Sequence, residues 1–232
     1  MPDGVPLPRQ RPVFDLHAER VCGFDLLPPE GLAPPDPAAD YPHDRFIQDV
    51  ALRRRWLEAA HLAGLTAHRR WIVLPVHVGR AAQHADALSI QLRDGLAAAA
   101  LGARSAGRMV IQFEGSREPG ESAHTRRIAR LFREHGFTIC IAGFGDGCEL
   151  GHDLLDAAPE LLRLSPALTG EIATDRSRRS VLAGVVSMAR DLGIGLIADH
   201  VDTPQQAATL LALDIHLQTG SLHGNPAPMP LR

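Results

Sequence analysis

The sequence predicts an α/β fold, a (β/α)8 TIM-like barrel in which one strand runs antiparallel to its neighbours. Three observations lead there. Short apolar runs without polar alternation recur along the chain, the pattern of parallel strands buried on both faces. Between them lie longer segments with apolar residues on one side, as expected of helices that cover a sheet from outside. There are eight such runs in 232 residues, which fits a closed barrel better than a doubly wound open sheet.

Residues 1–10 read as a tail and 11–232 as one domain. VFDLH (13–17) and RVCGFDLL (20–27) are strand-like runs separated by a tight turn, so they form a hairpin and supply the antiparallel strand. Residues 28–43, PPEGLAPPDPAADYPH, are proline-rich and irregular. A helix follows over 44–63, with Phe46, Val50, Leu52, Trp56 and Leu57 on one side. WIVLPV (71–76) is the third strand and precedes a helix over 83–101. RMVIQFE (108–114) is followed by a helix over 121–135, and FTICIA (137–142) by a short helix over 149–157. LLRLS (161–165) leads to a helix over 175–192, IGLIAD (194–199) to a helix over 204–212, and DIHLQT (214–219) closes the series.

Hydrophobic residues make up 45% and charged residues 22%, with a net charge of −3, which argues against a nucleic-acid or membrane-surface partner. Arginine clusters at 53–55 and 176–179 read as solvated helix faces. All 24 basic residues are arginine, a usage that suggests a GC-rich bacterial genome. Cys22, Cys140 and Cys148 have neither metal spacing nor an even disulfide count, which suits a reducing compartment. The first residues carry no signal-like apolar core, and no apolar run approaches the roughly 18 residues of a membrane span. A cytoplasmic location is expected.

A barrel of this kind places functional residues at the carboxyl ends of its strands. Those ends are Asp25, 74–77, 112–115, 142–145, 163–165, 199–202 and Gln218. The glycines of AGFGDG (142–147) do not form a dinucleotide fingerprint, because the third comes too early for GxGxxG. His77, His200, His216 and His223, with Asp199 and Asp202, are candidates for a metal site, but Asp199 and His200 should face opposite ways and scattered surface histidines are the plainer reading. Cys140 reads as a core residue, and no GxSxG elbow supports a serine triad.

At these ends the chain resembles the EAL domain, a family that hydrolyses the bacterial second messenger cyclic di-GMP. RPVFDLHAERVCGFDLL resembles the family opening QPIVDL…GRVVGFEALLR, VIQFEGS falls on LEITES, FTICIAGFGDG on IALDDFGTG, and LLRLSPAL on the LKID segment. LGIGLIADHVDTPQQAATLLALDIHLQTGSLHGNPAP is similar to LGL.VIAEGVET..Q…LG.D..QGYLFG.P.P. The resemblance runs from Arg11 to Pro228 and implies the barrel with one antiparallel strand. It also implies two Mg²⁺ or Mn²⁺ ions that activate a water for in-line attack on a phosphodiester.

The residues on the family's metal positions depart from that pattern. The resemblance puts its glutamates on Asp25, Gln112, Asp199 and Asp202, its asparagine on Pro75, and its two adjacent aspartates on Ala142 and Gly143. Its lysine falls on Arg163, its QG glutamine on Gln218 and its phosphate-gripping arginine on Pro29. Hard cations need oxygen ligands, and Ala142 and Gly143 offer none from a side chain. No catalytic residue, no metal and no cofactor is therefore expected, and the chain is expected not to be an enzyme. The positions expected to line the mouth are Asp25, Gln112, Arg163, Asp199, Asp202 and Gln218. The expected role is that of a catalytically inactive signalling protein acting through an unidentified protein partner, with no further signalling domain attached. A homodimer is also expected as an option, since Gly145 and Gly147 keep the loop through which the family pairs. The alternatives are a cyclic di-GMP receptor without turnover and a residual metal-dependent phosphodiesterase.

Overall fold

A computed structural model of the chain describes residues 7–31, 43–65, 70–76, 109–114, 121–134, 136–146 and 157–229. Its strands are β1 (Arg9–Asp15), β2 (Arg20–Leu27), β3 (Trp71–Val76), β4 (Met109–Glu114), β5 (Thr138–Phe144), β6 (Leu161–Leu164), β7 (Gly195–Ala198), β8 (Leu217–Gln218) and β9 (Ala227–Pro228). Its helices are α1 (His43–Leu62), α2 (Glu121–Glu134), α3 (Pro166–Thr169), α4 (Arg176–Leu192) and α5 (Pro204–Ala212). The helices expected over 83–101 and 149–157 lie outside the described residues, apart from Ala157.

The strands pair in the order β2-β3-β4-β5-β6-β7-β8-β1, and β1 returns to β2, which closes the barrel; β9 adds at the side of β1. β1 is antiparallel to both β2 and β8, and the pairs from β2–β3 through β7–β8 are parallel. The hairpin at the start of the chain thus supplies the antiparallel strand the sequence predicts. β1 opens at Arg9, inside the segment read as a tail. β8 is shorter than expected, and α3 and β9 have no counterpart in the sequence reading.

Local chemistry sets the helix ends. Asp175 caps α4 by accepting from the Ser177 and Arg178 amides, and Gly193 closes it in the left-handed region at φ 70°. Thr203 and Gln206 form a capping box at the start of α5, with Pro204 at its first turn. On α2, Ile128, Ala129 and Phe132 are buried while Arg126, Arg127 and Arg130 are exposed, so an amphipathic stripe docks the helix on the sheet. The larger core lies between sheet and helices, and contains Trp56, Phe113, Ile139, Leu162, Leu182 and Leu210. No helix among the described residues is long and apolar enough to cross a membrane.

Candidate functional site

Strand alternation decides what the barrel mouth contains. Val13, Val73, Val110, Cys140, Leu161, Ile197 and Leu217 form a separate apolar cluster, one residue from each of seven strands, and fill the barrel interior. Residues two apart on a strand share a face. The next layer toward the carboxyl ends is therefore Pro75, Gln112, Ala142, Arg163, Asp199 and Thr219, with Arg11 from the reversed β1 and its register partner Asp25 on β2.

Four charged side chains in this layer form a closed lattice. Arg163 Nη2 donates to Asp25 Oδ1 at 2.5 Å and Nη1 to Oδ2 at 3.0 Å, a two-pronged grip. Arg11 donates to Asp25 Oδ2 from Nη2 at 2.8 Å and from Nε at 3.1 Å. Arg11 Nη1 pairs with Asp199 Oδ1 at 2.9 Å, and Arg163 Nη1 lies 3.5 Å from Asp199 Oδ2. The Thr219 hydroxyl donates to Asp199 Oδ1 at 2.7 Å. Asp25 and Arg163 are each 3% exposed, so these charges face one another out of water.

The titration behaviour follows from that placement. Burial by itself disfavours a charged Arg163, but Asp25 and then Asp199 outweigh it and hold its pKa above the ordinary arginine value. Burial would raise Asp199; the Arg163 and Arg11 guanidinia and the Thr219 hydroxyl bring it down to about 2. A carboxylate with a depressed folded pKa stabilises the fold above its unfolded value and loses that contribution as pH falls through the folded one. Against an unfolded pKa of about 3.9, the shift is worth about 2–3 kcal/mol at pH 7. Asp199→Asn is therefore expected to be less stable than wild type by about that amount at pH 7, and the gap to close between about pH 4 and pH 2. Urea unfolding at stepped pH checks this.

Among the described residues, the oxygen donors of the mouth do not fit two divalent cations. Both carboxylates of the mouth are already held by arginines, so a dication there would meet two guanidinium charges. Ala142 and Gly143 present no side-chain oxygen, and the Pro75 carbonyl accepts from Arg53 Nε at 2.5 Å. Arg163 stays protonated and cannot act as a base; it can only stabilise negative charge. Three polar atoms of this region, Gln112 Oε1, Arg163 Nε and Ser165 Oγ, are buried without a hydrogen-bond partner among the described residues.

Asp25, Arg163 and Asp199 thus come together as the sequence positions them, and Gln112 stands in the same layer. Asp202 and Gln218 do not join them, which corrects the expected lining. Asp202 sits on the exposed rim between β7 and α5, where it accepts from the Ser221 amide and hydroxyl at 2.9 and 2.7 Å. Gln218 faces outward from β8, and its Nε2 donates to the Ala207 and Ile215 carbonyls at 3.2 and 3.0 Å. Its place in the mouth is taken by Thr219, one residue further on. Sequence reading missed Arg11 and Thr219. Counting back by two from Val13, and forward by two from Leu217, finds both.

The candidate histidine cluster does not form among the described residues, in line with the plainer reading of scattered histidines. His200 is exposed beside Asp199, its Nδ1 at 3.3 Å from Oδ1. His223 stacks on Phe14 and pairs with Gln218 Oε1, His216 lies at the opposite end of the barrel, and His77 is outside the described residues. Cys140 is fully buried in the barrel interior, and burial pushes the Cys22 thiol up to about 12, so neither offers a reactive thiolate. Cys148 is outside the described residues.

Comparison with known proteins adds the family context. The EAL domain family model matches residues 73–226. Over 103 residues, 44% of this chain, the sequence is 28% identical to a protein of Escherichia coli K12 named probable cyclic di-GMP phosphodiesterase PdeD. Over a further alignment of 103 residues it is 22% identical to cyclic di-GMP phosphodiesterase PdeL of the same organism. The matches span only 19% and 28% of those relatives' lengths. Among solved structures, Klebsiella pneumoniae BlrP1 in complex with manganese and cyclic di-GMP superposes with a TM-score of 0.80 at 23% identity, covering 98% of this chain and 57% of that one. A standalone EAL protein from Vibrio cholerae O395 in its cyclic di-GMP-bound form gives 0.74 at 16% identity, covering 97% and 94%. These likenesses show the fold. The expectation that the chain is not an enzyme is overturned here, because the curated relatives it matches are named phosphodiesterases.

Proposed function

The chain belongs to the EAL domain family, and on that premise we propose that it is a signalling protein of bacterial cyclic di-GMP regulation that acts in the cytoplasm by contact with a protein partner. In this reading paired arginines hold its barrel mouth in place of divalent cations. The observation that carries the reading is the lattice of Arg11, Asp25, Arg163 and Asp199, in which two guanidinia cancel two carboxylates. Among the described residues the mouth is already neutralised from within and offers no anionic cradle to Mg²⁺ or Mn²⁺, so in this reading the signalling output passes through the surface. α4 supports such a contact. Val181 and Leu192 on it are 56% and 52% exposed and stand eleven residues apart, about three turns, on one side of the helix.

A pull-down with the tagged full chain from its native cell tests this. The reading expects one protein captured by wild type and lost from the Val181→Glu/Leu192→Glu variant. Capture of nothing, or equal capture by both, would overturn it, and capture only of a second copy of the chain would replace the partner by a homodimer. One observation favours a second reading, a receptor for cyclic di-GMP. Gln112 Oε1 and Ser165 Oγ are buried polar atoms at the mouth with no hydrogen-bond partner among the described residues. Calorimetric binding of cyclic di-GMP tighter than about 10 μM would select that reading.

A further inference from the structure

At the opposite end of the barrel from the mouth, the turn after β1 and the segment before β8 bring His17, Asp214 and His216 together. Each offers one ligand atom, and the three atoms lie within 4.8 Å of one another. Among the described residues this is the one group of three or more histidine, cysteine or acidic side chains so placed. The backbone holds it in position. The Leu16 amide donates to the His216 carbonyl at 3.0 Å, which ties the β1–β2 turn to the start of β8, and the Asp15 carboxylate accepts from the His17 amide at 3.0 Å. A second observation points to a missing partner: His216 Nδ1 is buried and has no hydrogen bond among the described residues. The His17 ring stacks on that of His216, with centroids 4.5 Å apart and planes 12° from parallel.

We propose that His17, Asp214 and His216 form a site for a borderline divalent transition metal of the Zn²⁺, Co²⁺ or Ni²⁺ class. Two imidazoles and one carboxylate are the donor set such ions prefer, whereas hard cations favour all-oxygen sites. Ligands about 2.0–2.1 Å from a tetrahedral ion stand about 3.4 Å apart, so the three atoms must close in on binding. The exposed His17 and Asp214 side chains make that movement. His17 turns out of its stack, because two parallel rings cannot both point their nitrogens at one ion, and Asp214 leaves its exposed contact with Arg190 at 3.2 Å. Three protein ligands leave further positions for water. The ion would clip the antiparallel hairpin to β8 at the amino-terminal rim, where barrel residues serve stability.

Titrating Co²⁺ into the full chain and following its visible d–d absorption tests the site, with Zn²⁺ displacing the Co²⁺ signal. One ion is expected to bind per chain, His17→Ala and Asp214→Asn are each expected to weaken it at least about tenfold, and His200→Ala is expected to leave it unchanged. His17 and Asp214 are exposed, so both variants should melt like wild type in the absence of metal, and wild type alone should gain melting temperature when Zn²⁺ is added. Equal Co²⁺ affinity in wild type and both variants, or no binding at about 1 mM ion, would overturn the site.

Discussion

Replacing Arg163 by methionine is expected to lower folding stability by about 3–5 kcal/mol, read from urea or guanidinium unfolding. The guanidinium donates to both oxygens of Asp25, and both side chains are 4% exposed. The variant leaves Asp25 buried with Arg11 as its remaining cation, and an uncompensated buried charge costs more than the pair itself contributes. Asp25→Leu in the same chain should recover part of that loss, because the excess negative charge of two carboxylates sharing one guanidinium is then gone. The double variant is thus expected to be less destabilised than the two single effects added together, by about 0.5–3 kcal/mol. A loss under about 1 kcal/mol in Arg163→Met would mean the lattice does not hold the mouth together.

The second large effect concerns turnover. With Mn²⁺ and cyclic di-GMP, any hydrolysis to the linear dinucleotide is expected to run more than about tenfold slower than in a relative that carries paired aspartates at the positions of Ala142 and Gly143. Two metal ions contribute several kcal/mol of transition-state stabilisation, and every 1.36 kcal/mol is about tenfold in rate. Restoring the acids by Ala142→Asp and Gly143→Asp is expected not to recover the rate. Arg11 and Arg163 still occupy the carboxylates across the mouth, and β5 loses its register between Ile141 and Phe144, with Gly143 at φ 77°, where a side chain is strained. Chromatography of the reaction mixture checks both statements. A wild-type rate within about tenfold of such a relative would show that this mouth performs the family's chemistry by another route.

Most of the fold was legible because it rests on features that sequence carries directly. The apolar runs of β3 to β7 and the helical stripes of α1, α2, α4 and α5 are local patterns, and the hairpin that gives β1 its direction is marked by its own tight turn. The placing of Asp25, Arg163 and Asp199 at the mouth was legible too, since each falls on a quoted motif. The lattice was not. Arg11 opens the RPVFDL run at a position where the family has glutamine, so the motif marks it for no role, and its partner Asp199 is 188 residues away; only barrel closure brings them together. The Gln218 expectation failed on a single step of strand alternation: the motif marks the glutamine, while the pleat turns Thr219 inward. The pairing of His17 with Asp214 and His216 is likewise a product of closure, joining the first hairpin to the last strand.

The acids of the mouth are held by arginines. A crystal structure grown with Mn²⁺ and cyclic di-GMP, with anomalous data collected at the manganese edge, tests it most directly. Arg163 and Arg11 are expected to keep their hydrogen bonds to Asp25 and Asp199, with no manganese peak between the two carboxylates. A manganese ion within about 2.2 Å of oxygens from both Asp25 and Asp199, with the guanidinia displaced, would contradict it.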